Sequence, residues 1–365
     1  MTKINLNIKN MAKNIKVQGF ILVDVDAVAL NNAGKNETTN FDNAVSTKRI
    51  RKNGKTYTYV SGQAFRSWWR DTLQKNQGWE LSPISREDKI AYTCTNPLKY
   101  ADDDVFGYMK AAKEEVTGDN GRKKTQNITV TRVSPLKNSV LISVAPVSVA
   151  ENWSSMARQE GDSVPYVKQE YSAVMKGMFS IDASMVGTFS DYNKTGFMNL
   201  SDALKKEAIE RYNCLEIEDA FYKEKKLIQM PAKTRIQRCV DTIKALKTIS
   251  GGAMQTNNMG DVTPKFIILA TTTTGNHPFS HVATTEGIKD EIAKLNVVAI
   301  KEIIDEYKDT FVGKIFIGKR SGFFDEYNNE LKDLAESNDY KDLIVLAPVN
   351  DAIDKYCEQL SKQIE

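Results

Sequence analysis

Eight basic residues and a single acid, Asp71, fall between positions 48 and 75, in the run KRIRKNGKTYTYVSGQAFRSWWRDTLQK. Cations at that density suit phosphate. Lys48, Arg49, Arg51, Lys52 and Lys55 straddle the pair Asn53-Gly54, a strong short-range turn signal, which puts them on a hairpin. A short alternating strand over 56–60 leads to Ser61, which stands where a helix N-cap should. Capping there leaves the amides of Gly62, Gln63 and Ala64 pointing out of the first turn, where free N–H groups and the helix dipole favour an anion. Arg66 and Arg70 lie four apart and share a helix face with Gln63, opposite the apolar stripe Phe65, Trp69 and Leu73. A solvated amphipathic helix after a charged hairpin is the plainer reading, but turn, cap and face agree on a phosphate site.

Other chemistry-bearing residues are sparse. The two histidines, His277 and His281, are spaced like a helical metal pair within GNHPFSH, yet Pro278 interrupts a regular helix and no nearby Glu or Cys completes a zinc motif. Asp24 and Asp26 alternate on a strand and share a face; without a histidine or metal partner they read as a solvated edge. Asp102, Asp103 and Asp104 read as a solvated acidic turn, because consecutive carboxylates do not converge on one ion unaided. The sequence holds no P-loop, dinucleotide fingerprint or nucleophile elbow. No metal or other cofactor is expected.

The elements that must position these residues alternate between strand and helix patterns, which makes the chain α+β. A strand is expected over 16–29, an Asn-rich loop over 30–46, a helix from 62 to about 74 and an irregular stretch over 78–104. A lysine-rich, flexible excursion follows at 110–124. Extended patterns at 127–149 and 171–189 should pair in one antiparallel sheet, with 150–169 projecting between them as a hairpin-like loop. Helical patterns dominate 201–250, interrupted near Cys214 and Pro231. The clearest puts Ile236, Val240, Ile243 and Leu246 on one face and Arg235, Arg238, Lys244 and Lys247 on the rest, then runs into Gly251 and Gly252. That glycine pair is either a helix C-cap or a place where another backbone, such as an RNA strand, comes close. A buried strand at 266–271, a helix at 288–307, a strand at 311–317 and helices at 323–335 and 351–364 complete the chain. Trp68 and Trp69 are candidates for stacking bases, although the helical setting favours the core for Trp69.

Composition bounds the partners. With 365 residues, 41% of them hydrophobic, and a net charge of +3 from 50 basic and 47 acidic residues, a polyanion must be held by a local patch. Cys94, Cys214, Cys239 and Cys357 match no metal or redox spacing, and no basic-then-apolar leader opens the sequence, so a reducing cytoplasm is expected. No apolar run approaches the roughly twenty residues of a membrane helix.

The succession of first strand, Asn-rich loop, basic hairpin, YVSGQAFRSWWR, DDDVFGYM, QEYSAVMKGMFSID and a late GGA before DVTPKFIILA resembles the DevR-type branch of the Cascade backbone family, the "Cas seven" proteins of the RAMP superfamily. It spans residues 16 to about 280. The resemblance implies a single modified RRM or ferredoxin-like palm over 1–365 with an antiparallel sheet. Its additions would be a loop and basic hairpin at 30–60, a flexible insertion at 110–126, a thumb-like hairpin at 150–169 and a large helical insertion at 190–250. The implied role is a cytoplasmic, non-catalytic backbone subunit of a type I CRISPR surveillance (Cascade) complex. Sister copies would form a filament along CRISPR RNA, holding its backbone without reading sequence, and the thumb of one copy would displace a nucleotide bound by the next. Target DNA, paired through the guide, and other Cascade subunits are the further partners implied. The RNA-binding set is Lys48, Arg49, Arg51, Ser61, Gln63, Arg66, Arg70, Lys168, Gly251 and Gly252. RNA-cleaving relatives carry an aspartate in the loop after the first strand, where Asp42 alone stands here, so a metal-dependent CRISPR endoribonuclease is the alternative.

Overall fold

Residues 17–23 are buried on both faces of the strand they form, which places β1 (Lys16–Val28) in the middle of the fold. The computed structural model describes residues 14–35, 44–87, 90–117, 123–156, 164–190, 192, 198–222, 224–285 and 292–364. After β1 come β2 (Asn32–Lys35), β3 (Ala44–Thr47), the hairpin β4 (Arg49–Lys52) and β5 (Lys55–Val60), and α1 (Gly62–Gln77). Two ribbons, β6 (Ile84–Glu87) with β7 (Ile90–Thr93) and β8 (Tyr108–Thr117) with β9 (Lys123–Arg132), flank α2 (Ala101–Phe106). Next are β10 (Leu136–Asn138), β11 (Leu141–Ser143), β12 (Ala150–Met156), β13 (Val164–Asp182) and β14 (Thr188–Ser190). Then follow α3 (Asp202–Tyr212), β15 (Leu215–Glu218), β16 (Lys226–Gln229), α4 (Ala232–Lys244) and β17 (Phe266–Thr272). The chain closes with β18 (Ala283–Thr284), β19 (Lys294–Leu295), α5 (Val297–Glu306), β20 (Ile315–Lys319), α6 (Asn328–Glu336), β21 (Ile344–Ala347) and α7 (Val349–Gln363).

The main sheet runs in the order β21-β20-β17-β1-β13-β11-β5-β4, antiparallel along this path except between β20 and β21. Side chains alternate across it. Val17, Ile21 and Val23 point with Met175 and Phe179 toward α1, α4 and α7, whereas Phe20 and Leu22 point with Phe266 and Ile268 toward α5 and α6. The second layer thins beyond β13, where Ile142, Tyr57 and Tyr59 are half-buried and Ile50 is exposed.

The α+β class and the antiparallel sheet stand as expected. Strands β10 and β11 pair with β13, and β12 (Ala150–Met156) pairs with Val164–Glu170 of β13. Several expectations are corrected. The helix α1 runs on to Gln77 because Gly78, at φ 70°, supplies the left-handed cap that returns its N–H to Leu73. Within 110–126, expected as a flexible insertion, the described residues 110–117 and 123–126 lie in the paired β8–β9 ribbon; their sequence carries no apolar alternation to announce a strand. The Asn-rich loop contains the β2–β3 pair, and the region before Asp102 contains the β6–β7 pair. The insertion at 190–250 is not purely helical, since β15 and β16, between α3 and α4, form a small sheet with β14. Of the helix expected over 288–307, the described residues from 292 form a helix over Val297–Glu306.

Candidate nucleic-acid interface

The β4–β5 hairpin turns at Asn53 (φ 52°) and Gly54 (φ 74°), the pair of positive φ angles that a two-residue hairpin demands. Its register sorts the basic run onto two faces. Arg49 and Arg51 lie opposite Thr58 and Thr56, on the face that carries α1, while Ile50 lies opposite Tyr57 and Lys52 opposite Lys55 on the reverse face. Arg49, Arg51 and Lys52 are exposed, Lys48 and Lys55 half-buried. Among the described residues no carboxylate pairs with any of the five. An edge strand so charged also discourages accidental strand pairing.

Ser61 caps α1 as expected, at φ −62° and ψ 147°, its Oγ accepting from the amide of Ala64 at 3.2 Å. That amide is therefore satisfied, and the open donors of the first turn fall to Gly62 and Gln63. The Ser61 amide donates to Asn31 Oδ1 at 2.8 Å, fixing the cap to the loop after β1. No acid occupies the first turn, so the dipole faces an anion unopposed. Ser61, Gly62 and Gln63 form one wall of a cleft of about 430 Å³, and Ser134, Leu136, Lys137 and Asn138 form the other.

Arg66 sits at the back of this cleft, and its role differs from the one expected. Its terminal nitrogens donate to Leu136 O (2.8 Å), Asn138 Oδ1 (3.0 Å), Phe106 O (2.8 Å) and Ser134 Oγ (2.9 Å). Those four bonds commit both ends of the guanidinium fork to protein oxygens, so Arg66 clamps the two walls together instead of standing open to phosphate. Burial, with Arg70 beside it, brings Arg66 down to about 10. Arg70 stacks on the same Phe106 ring at 4.2 Å, within the field of Asp102 and Asp103. The exposed cation of the cleft is Lys137, which sequence reading missed because β10 reaches α1 only through the fold.

The remaining expected contacts are also redistributed. Lys168, on the β12–β13 hairpin, is answered by Glu170 at 2.8 Å, so its charge is already paired. Gly251 does permit a close approach, but to Trp68: a Cβ there would lie 2.1 Å from the indole Cγ. Gly252, at φ 111°, packs against Leu30 and Gln255. Trp68 is 9% exposed and spent on this contact, and Trp69 is fully buried, its indole N–H donating to Thr242 O at 2.7 Å. Gly251→Ala is expected to cost about 1–3 kcal/mol of stability through overpacking while leaving RNA affinity of the folded protein unchanged. Melting curves beside binding titrations check this; lost affinity at full stability would instead make Gly251 an RNA contact.

The acidic run is no solvated turn. Asp102, Asp103 and Asp104 are 5%, 1% and 0% exposed. Asp104 bridges Arg132 (2.5 Å) and Arg238 (2.7 Å) and accepts the Gly187 amide at 2.8 Å. Asp103 accepts from Ser82 Oγ and the Asn96 amide, and Asp102 from the Ser82 amide. Arg235 and Arg238, expected on an outward face of α4, are buried; Arg235 donates to Val186 O and Arg238 enters the Asp104 pair.

Asp24 and Asp26 are exposed where β1 overhangs β17, as a solvated edge should be. Among the described residues no group of histidine, cysteine and carboxylate could hold a metal ion. His277 is isolated, its Nε2 2.9 Å from Gly19 O, and burial lowers its pKa. A histidine harder to protonate folded than unfolded withdraws stability as pH falls through its unfolded value, about 6.5. Stability should therefore decline below that pH, and His277→Gln should flatten this part of a pH series of denaturant melts. Asp42 lies outside the described residues.

A cavity of about 920 Å³ lies elsewhere, lined by Asp182, Thr188, Phe221 and Ile364 among others, and none of the expected RNA-binding residues borders it. No helix of the described residues is long and apolar enough to cross a membrane.

Comparison with known proteins adds four findings. The family model described as "CRISPR-associated negative auto-regulator DevR/Csa2" matches residues 21–292. No curated protein matches the sequence. A chain from a solved "CRISPR RNA-guided surveillance complex" superposes with a TM-score of 0.49 at 9% identity, covering 94% of this chain and 99% of that one. A second, from a "CRISPR RNA-guided surveillance complex, pre-nicking", gives 0.48 at 9% identity with the same coverage.

Proposed function

This chain belongs to the CRISPR-associated DevR/Csa2 family, and from that membership we propose that it is a non-catalytic backbone subunit of a Cascade-type surveillance complex. Copies assemble along CRISPR RNA and hold its phosphates without reading bases, leaving the guide free to pair with target DNA. The observation that carries this reading is the set of cations on β4 and β5 for which no described carboxylate is a partner, beside an acid-free helix N-terminus. Charge of that kind, without base-edge readers, gives sequence-independent, salt-sensitive binding.

In this reading Arg49 and Arg51 on one side and the first turn at Ser61, Gly62 and Gln63 on the other hold successive phosphates, with Lys137 closing the cleft and Lys48 at its entrance. Arg66 and Arg70 brace the site. The β12–β13 hairpin acts as the thumb, reaching the RNA held by a sister copy, and the remaining surfaces meet other subunits of the complex. The whole chain works as one palm with insertions.

The test is to incubate the purified protein with labelled single-stranded RNA, with and without divalent metal. The expected result is a shift that grows with protein concentration while the RNA stays intact. Metal-dependent cleavage that disappears in Asp42→Ala would overturn the non-catalytic reading.

A further inference from the structure

The reverse face of the β11–β5–β4 edge carries an arrangement that the guide site does not use. Lys52 and Lys55 are direct cross-strand partners. Like charges so placed repel, and among the described residues neither has a carboxylate partner. A third ammonium, Lys176, lies on the same face: Tyr59 pairs with Ile142, and Ile142 with Lys176. Its pKa is lowered by burial and then by the field of Lys52, so the cluster is already under mutual repulsion. Its Nζ donates to the carbonyls of Ser280 at 3.1 Å and Ala283 at 3.3 Å.

Between these cations lie two rings. Tyr57 and Tyr59 alternate along β5, about 6.7 Å apart, on the face bearing the half-buried Ile142 and the 43% exposed Ile50. Opposite to them across the strand, Thr58 and Val60 are buried against the α1 layer, so the tyrosines cannot turn inward without exchanging the core. A surface of aromatic rings flanked by cations that no described carboxylate pairs with matches unpaired bases joined by phosphates. It does not match a duplex, which offers no free base face.

We propose that this reverse face, Tyr57 and Tyr59 with Lys52, Lys55 and Lys176, is a second binding surface for single-stranded nucleic acid, distinct from the guide site on the face bearing Arg49 and Arg51. Each ring receives one base, and the lysines hold the linking phosphates. The two surfaces lie back to back on the same two strands, so one hairpin separates two strands of nucleic acid.

The test is ultraviolet crosslinking of the full chain, as purified, to labelled single-stranded RNA, single-stranded DNA and a duplex of the same sequence, read by mass spectrometry beside binding titrations. Crosslinks are expected at Tyr57 or Tyr59 with single strands and not with the duplex. DNA crosslinking to RNA-loaded protein would mark a target strand as the source, and RNA alone crosslinking would mark a second RNA strand. Tyr57→Ala and Tyr59→Ala should each weaken single-strand binding about tenfold, whereas Tyr→Phe at either position preserves it. In Arg49→Ala/Arg51→Ala the tyrosine crosslinks should persist, so failure of the guide site and failure of this one are separable. Absence of crosslinks at both tyrosines in the wild-type protein would overturn the proposal, even if the alanine variants do not fold. So would protection of this face by self-association without nucleic acid, which would make its occupant a second copy.

Discussion

Asp104→Ala is expected to destabilise the protein by about 3–5 kcal/mol, the usual cost of removing one partner from a buried ion pair. The carboxylate is fully buried and serves three donors: Arg132, Arg238 and the Gly187 amide. Its loss would strand two guanidiniums that are themselves 2% and 5% exposed. Neither can escape to water, because Arg132 is also held by Thr188 O at 2.7 Å and Arg238 by Pro97 O at 2.8 Å and Leu98 O at 3.0 Å. The network joins α2, β9, the start of β14 and α4, so the insertion and the helical layer should loosen together. Asp104→Asn, which keeps an acceptor but not the charge, should fall between alanine and wild type. Chemical denaturation followed by circular dichroism reads the effect; an alanine variant within about 1 kcal/mol of wild type would mean that the pairs merely offset their own desolvation.

The second large effect concerns RNA. Arg49→Ala/Arg51→Ala removes two exposed guanidiniums on the face of the helix start, and RNA affinity at low salt should fall at least tenfold, about the worth of one charged hydrogen bond. The slope of log affinity against log salt should drop by about 1.4, two single-strand phosphate contacts at roughly 0.7 each. Lys168→Ala is the contrast, since Glu170 already answers that ammonium; its slope should match wild type. If the double variant keeps the full slope, the phosphates lie elsewhere.

What the sequence makes legible is local. Asn53-Gly54 marks its own turn, Ser61 its own cap and the spacing of Phe65, Trp69 and Leu73 its own buried stripe, because each depends on residues within a few positions. What is illegible depends on distant partners. Nothing near Asp104 announces Arg132 or Arg238, 28 and 134 residues away, and the run therefore reads as a solvated turn. Arg66 looks exposed until Leu136 and Asn138 arrive to take its donors. The glycine after α4 suggests a close approach correctly, yet only the packed helix α1 identifies Trp68 as the neighbour. Lys137 carries no local signal at all, because the other wall of its cleft, Ser61 to Gln63 at the start of α1, is distant in sequence.

An electron cryo-microscopy reconstruction of the protein assembled on single-stranded RNA tests the central claim most directly. The expected result is a ridge of repeated copies, with RNA density in each between Ser61–Gln63 and Lys137–Asn138, passing Arg49 and Arg51, and the β12–β13 hairpin of one copy against the strand held by the next. Isolated globules, or RNA density in the cavity beside Phe221 with the Ser61 cleft empty, would contradict it.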